Sequence, residues 1–140
     1  MADKLTKKAR SSLMSRIRST DTKPEKQVRS CVHKLGHRYR LYDKKLPGKP
    51  DLVLKKSRIV ILVHGCFWHF HKRCRTGKLP KSNRKFWKDK FLRNIERDSS
   101  IRRRLSRLGW KVVVVWECQT KDPLKLMEKL ERVLEKHMNL

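Results

Sequence analysis

The stretch DLVLKKSRIVILVH, residues 51–64, holds two apolar runs, Asp51–Leu54 and Arg58–His64, separated by Lys55-Lys56-Ser57. Runs of this length, bounded by turn formers and rich in β-branched residues, suit buried strands, and the short polar break predicts a hairpin. Leu46-Pro47-Gly48-Lys49-Pro50 leads into it as a turn. A further continuous apolar run, Lys111–Glu117, predicts another strand. Between them Ser82 can cap a helix carrying Phe86, Trp87, Phe91 and Ile95; the period resumes at Ile101, Leu105 and Leu108 before Gly109, with a break near Asp98 left open. Asp122-Pro123 starts a last helix with Leu126, Met127, Leu130, Val133 and Leu134 facing inward.

Upstream of the hairpin, Thr22-Lys23-Pro24-Glu25 has the form of a capping box, followed by Val28, Cys31, Val32 and Leu35 at helical spacing and by Gly36 as a stop. The spacing predicts a helix over 23–35, with Cys31 a buried small hydrophobe on its apolar stripe. Residues 1–20 read as a basic arm with a weak helical stripe of Leu13, Met14 and Ile17. Strands alternating with long helices make the chain α/β, and 140 residues fit one domain, with the arm at 1–20 and the core at 21–140. Trp110 and Trp116 are assigned to the core.

Lys and Arg number 39 against 13 Asp and Glu, a formal charge of +26, and the last helix is nearly charge-balanced, so the positive field belongs to the body. Cations that neutralise phosphates gain free energy by releasing counterions, which makes nucleic acid the leading partner. A surface kept basic for solubility alone is disfavoured, because repulsion on this scale costs stability. The balanced last helix is expected to face away from the nucleic acid. The apolar runs are far below the ~20 residues of a membrane span, and the lysine-bearing N-terminus has no apolar signal region. A reducing prokaryotic cytoplasm, in association with the nucleoid, is the expected location, with cysteines as metal ligands or buried thiols rather than disulfides.

Chemistry concentrates in His64-Gly65-Cys66-Phe67-Trp68-His69-Phe70-His71-Lys72-Arg73-Cys74. Cys66, His71 and Cys74, with Cys118 at the end of the apolar strand Val112–Trp116, supply a Cys3His tetrahedron that suits structural Zn2+, although His64 and His69 compete with His71 for the imidazole position. Buried thiols are the alternative. Asp51 opens the first hairpin strand, where a carboxylate among apolar neighbours needs a cation unless it merely caps the turn. A hairpin would bring Asp51 beside the end of the second strand, so that a divalent cation could bridge it and a backbone carbonyl near Val63. Nearby histidines would then handle protons during attack of water on a phosphate.

Taken together, Leu46-Pro47-Gly48-Lys49-Pro50-Asp51, His64-Gly65-Cys66-Phe67-Trp68-His69 with His71 and Cys74, Glu96-Arg97-Asp98, and Leu108-Gly109-Trp110 continuing to Val115-Trp116-Glu117-Cys118 resemble the very short patch repair endonucleases over nearly the whole chain. That family comprises T:G mismatch nickases of the restriction-endonuclease-like superfamily. The resemblance implies a central mixed sheet flanked by helices and Mg2+-dependent nicking of one DNA strand 5′ to the mismatched T. It implies Mg2+ on Asp51 and the Val63 carbonyl, His69 as general base, His64 in the surrounding network, and Glu25 acting through metal-bound water. It implies Zn2+ on Cys66, His71, Cys74 and Cys118. Phe67, Trp68 and Trp87 match aromatics inserted beside the mispair, Met14 matches an apolar wedge, and Lys90 and Asn94 match helix positions near the bases.

The physics agrees, since a mispair is weakly stacked and costs less to wedge open than a Watson–Crick step. Core packing is the alternative for the aromatics, most of all for Trp87, at helical spacing with Phe91. Two departures stand out: Val63 replaces the family's usual Thr, and Lys72-Arg73 lengthens the His-to-Cys spacing by one residue. A monomer acting on duplex DNA, with mismatch-repair proteins as further partners, is expected. Two other readings are a non-catalytic zinc-stapled nucleic-acid module and a nuclease that cuts matched duplex.

Overall fold

The computed structural model describes residues 21–67, 69, 71 and 79–138. The expected arm with Met14, and also Trp68 and Cys74, lie outside these residues. Three helices and four strands follow the expected alternation: α1 (Lys23–Lys34), β1 (Arg40–Leu41), β2 (Leu52–Leu54), β3 (Ile59–His64), α2 (Arg84–Arg107), β4 (Lys111–Trp116) and α3 (Pro123–Met138). The sheet order is β1-β2-β3-β4. β2 and β3 form the expected antiparallel hairpin, whereas β3 and β4 run parallel, as the intervening α2 crossover requires.

Strand alternation sorts the core into two layers. Leu52, Leu54, Ile59, Ile61, Val113 and Val115 pack with Val28, Cys31 and Val32 of α1 and Leu126, Leu130 and Leu134 of α3. Val53 and Val60 point the other way, onto Leu105 of α2 and Trp110. Cys31 is buried on this stripe, as its spacing predicts, and Trp110 is in the core. None of the described helices is long and apolar enough to cross a membrane.

The question left open at Asp98 is answered by α2, which runs unbroken through it for 24 residues. Several local expectations are corrected. The α2 N-cap is Asn83 rather than Ser82, held at φ 52° with no side-chain cap bond; asparagine tolerates this left-handed conformation. Phe86 and Leu108, placed on the inward stripe by spacing, are 54% and 53% exposed, because α2 outruns the sheet it covers. Glu117 leaves the strand and begins a 3-10 turn, closed by the Trp116 N–H donating to Gln119 Oε1 at 2.9 Å. β1 has no apolar signature, since both its residues are exposed and only pairing with β2 defines it.

Candidate active site and cysteine–histidine cluster

Two groups of side chains form where β3 and β4 end. Asp51 precedes β2, and the Leu52–Ile61 register sets it beside the end of β3, where its Oδ2 accepts the Val63 N–H at 2.7 Å. The hairpin thus brings Asp51 and Val63 together as expected, although the observed bond is to the N–H and not the carbonyl. Gly48, in the turn before Asp51, sits at φ +73° and lies close against α2, where a Cβ would be 2.5 Å from Ile101 Cγ2. Glu25, only 4% exposed, comes from the first turn of α1, where the predicted capping box forms with Thr22. Burial pushes the Asp51 carboxyl up to about 7 against the opposing Val63 N–H, and the charge of Glu25 on the same cavity adds to the rise.

His64 ends β3 and stacks on His69, with ring centroids 3.9 Å apart and planes 5° from parallel. His69 is returned to this position by its N–H donating to the Gly65 carbonyl at 3.1 Å. Its Nδ1 pairs with Asp98 Oδ2 at 2.5 Å. Burial opposes ionisation of Asp98, but the hydrogen bond and charge of His69 outweigh it and hold the carboxyl below its usual range. An ionised carboxylate can only accept, so Nδ1–H is the donor to Asp98, and the pairing turns Nε2 to the far side of the ring. Burial, then the adjacent His69, pushes His64 down to about 4, so it is neutral near pH 7. Glu25, Asp51, His64, His69 and Asp98 all line one cavity of about 430 Å³, flanked by Lys49 and Arg97.

The second cluster follows from register. His64 pairs with Trp116 across the parallel strands, so Cys66 and Cys118, each two residues further on, come together, and the Cys118 N–H donates to Cys66 Sγ at 3.3 Å. The His71 N–H donates to the Cys66 carbonyl at 2.9 Å, which brings its Nδ1 to 3.7 Å from Cys66 Sγ and 3.5 Å from Cys118 Sγ. Zinc bond lengths of ~2.0–2.3 Å at tetrahedral angles require ligand separations of about 3.5 Å, so the donor set fits. Of the three histidines, His71 lies with the sulfurs, while His64 and His69 lie with Asp98.

Trp116 is corrected from core to site. It stacks on His71 at 4.1 Å and meets His64 edge-on at 5.2 Å, standing between the clusters. Trp87 is half-buried against Phe67 and the buried Phe91, at centroid distances of 5.4 and 5.8 Å, so wedge and core readings meet in one residue. Lys90 lies over the Trp87 ring at 5.6 Å. Trp87, Lys90, Asn94 and Asp98 follow helical spacing down one face of α2, spanning roughly 16 Å from aromatic to acid at the usual rise. Asp98 was quoted within a motif but given no role by the sequence; the signal was a carboxylate at the i+7 position from Phe91 on an inward stripe. Tyr42 and Arg29, both bonded to Glu25, gave no such signal.

Carboxylates and imidazoles gathered at the carboxyl end of a parallel strand pair, on so basic a chain, define a class suited to hydrolysing a phosphate polyanion. Comparison with known proteins narrows it. The family described as DNA mismatch endonuclease Vsr matches residues 2–76. A Xanthomonas oryzae pv. oryzae protein named Type II nicking enzyme V.XorIIP is 45% identical over 96% of this chain and 98% of its own length. A Neisseria meningitidis serogroup A protein named Type II nicking enzyme V.NmeAIP is 45% identical over 96% and 95%. The Escherichia coli K12 DNA mismatch endonuclease Vsr is 42% identical over 92% and 82%. The chain belongs to the Vsr family of DNA mismatch endonucleases.

Proposed function

We propose that this endonuclease nicks one strand of duplex DNA 5′ to the T of a T:G mispair by Mg2+-dependent hydrolysis, on a restriction-endonuclease-like core stapled by Zn2+. The observation that carries the reading is the convergence of Asp51, Glu25 and the His69–Asp98 pair on one cavity. Asp51 fits a cation: its carboxyl is held near neutrality by burial and a second acid, a cost that a divalent ion would relieve. Asp51 and the Val63 carbonyl would hold Mg2+, with Glu25 reaching it through water. When bound, the ion supplies positive charge against the phosphate and lowers the pKa of water.

The chain's own residues do the rest. His69 takes a proton from the attacking water at Nε2, and Asp98 stabilises the resulting imidazolium through Nδ1. Neutral His64, stacked beneath it, adds no competing charge. Phe67 and Trp87, with Trp68 and Met14, wedge the mispair, while Lys90 and Asn94 face the neighbouring bases. Cys66, His71, Cys74 and Cys118 would hold Zn2+ in a closed site that fixes the loop carrying His69.

The test is an end-labelled duplex with one central T:G mispair, incubated with Mg2+ or EDTA beside its matched counterpart and across varied flanks. Cleavage of a single strand at the mispair, dependent on Mg2+, is expected. Equal cutting of matched duplex, or tight binding without any cutting, would overturn the reading.

A further inference from the structure

We propose that Tyr42 and Arg29 are positioning residues that orient Glu25, and that Asp21 ties the same bonds to the start of the core, where the N-terminal segment enters. The inference rests on the reading of Glu25 above.

Glu25 Oε2 accepts from the Tyr42 hydroxyl at 2.6 Å, the Thr22 N–H at 3.3 Å and Arg29 Nη2 at 3.5 Å. The Tyr42 oxygen in turn accepts from Arg29 Nη2 at 2.5 Å and from the Asp21 N–H at 2.8 Å. A hydroxyl has one proton to give and two lone pairs to fill; with the proton on Glu25, all three are used, each by a different residue. Arg29 closes the ring on Asp21 Oδ1 at 2.7 Å. All three bonds end on one oxygen of a carboxylate that lines the same cavity as Asp51.

Capping α1 does not account for this, since the capping box needs Thr22 and Glu25 alone. Backbone conformation is the independent sign. Asp21 at φ 56° and Tyr42 at φ 49° both occupy the left-handed region, unfavourable for a residue with a Cβ and most of all for a bulky one. Strained conformations persist where surrounding bonds over-determine them, and here the two strained residues are hydrogen-bonded to each other. Arg29 Nε is buried with no acceptor among the described residues, a further cost accepted to place Nη2.

The experiment is a double-mutant cycle on the full-length, zinc-loaded chain, reading single-turnover nicking of the T:G duplex across a Mg2+ titration, DNA affinity and melting temperature. Tyr42→Phe removes only the hydroxyl. It is expected to slow nicking about tenfold and to raise the Mg2+ concentration for half-maximal rate severalfold, with DNA affinity within about twofold. Arg29→Lys should retain more activity than Arg29→Ala, and Tyr42→Phe should add nothing in a Glu25→Ala background. An equal effect of Tyr42→Phe in both backgrounds, or a lower melting temperature with an unchanged Mg2+ response, would overturn the positioning role alone. Full activity of Glu25→Ala would overturn the reading of Glu25 itself and the proposal with it.

Discussion

The acidic centre and the cysteine–histidine cluster grow from the same strand ends and share Trp116 as a wall, yet they are built oppositely. Around the cavity, oxygens and imidazoles from α1, β2, β3 and α2 converge without saturating one another, and burial leaves Asp51 and His64 far from their ordinary pKa values. Two residues past the strands, two sulfurs stand 3.5 and 3.7 Å from one imidazole nitrogen. Under the proposed function, the difference separates a site that must change charge during a reaction from one that must not. The loop from 64 to 71 serves both by alternation: His69 turns to the first cluster and His71 to the second.

The largest effect expected in breaking this comparison is at Asp51. Asp51→Ala should reduce nicking by about 10³-fold or more while leaving mismatch binding in a gel-shift assay nearly intact. His69→Ala should cost about 10²-fold in single-turnover rate. Asp98→Asn, which loses the charge that stabilises the imidazolium, should cost about tenfold to a hundredfold without altering zinc content. Cys118→Ser attacks the other cluster. It should lower bound zinc and reduce the melting temperature by on the order of 10 °C, with activity lost through the 66–74 loop. Full zinc content and stability in that variant would sink the ligand set.

A subtler contrast is in the pH dependence of stability without divalent metal. The folded Asp51 pKa is about 7 against 3.8, so between these values the native state holds the extra proton and stability falls as pH rises. The folded His64 pKa is about 4 against 6.5, so over that window the unfolded state holds the extra proton and stability rises with pH. The two oppose each other from pH 4 to 6.5. Asp51→Asn should therefore unmask a melting temperature that climbs across this interval, and stabilisation of the native protein by Mg2+ should grow as pH rises through about 7; a flat profile in Asp51→Asn would contradict the assignment. The smallest effect is expected from Val63→Thr: if the backbone carbonyl alone serves the cation, nicking should stay within about twofold.

The hairpin, the capping box, the long helix with its apolar period and the buried Cys31 were legible because each is a local pattern: 2.0- or 3.6-residue periodicity and a recognised cap. That Cys66, His71 and Cys118 would gather was legible through their unusual composition, and that Asp51 would meet Val63 through the hairpin. β1 was not legible, because two exposed residues form a strand only when β2 offers a partner. Asn83 as cap and the unbroken passage through Asp98 were set by how α2 lies on the sheet. Trp116 looked like core because it ends an apolar run, and only the parallel register with His64 shows it facing two imidazoles.

Sequence by itself determined the elements, the charge and the inventory of ligands and acids, since short-range sterics, periodicity and side-chain chemistry are properties of neighbours along the chain. Tertiary structure alone decided which histidine joins which cluster, that Asp98 orients His69, and that Tyr42 and Arg29 hold Glu25. Those pairings depend on strand register and helix placement, where one residue of slip turns a side chain to the opposite face.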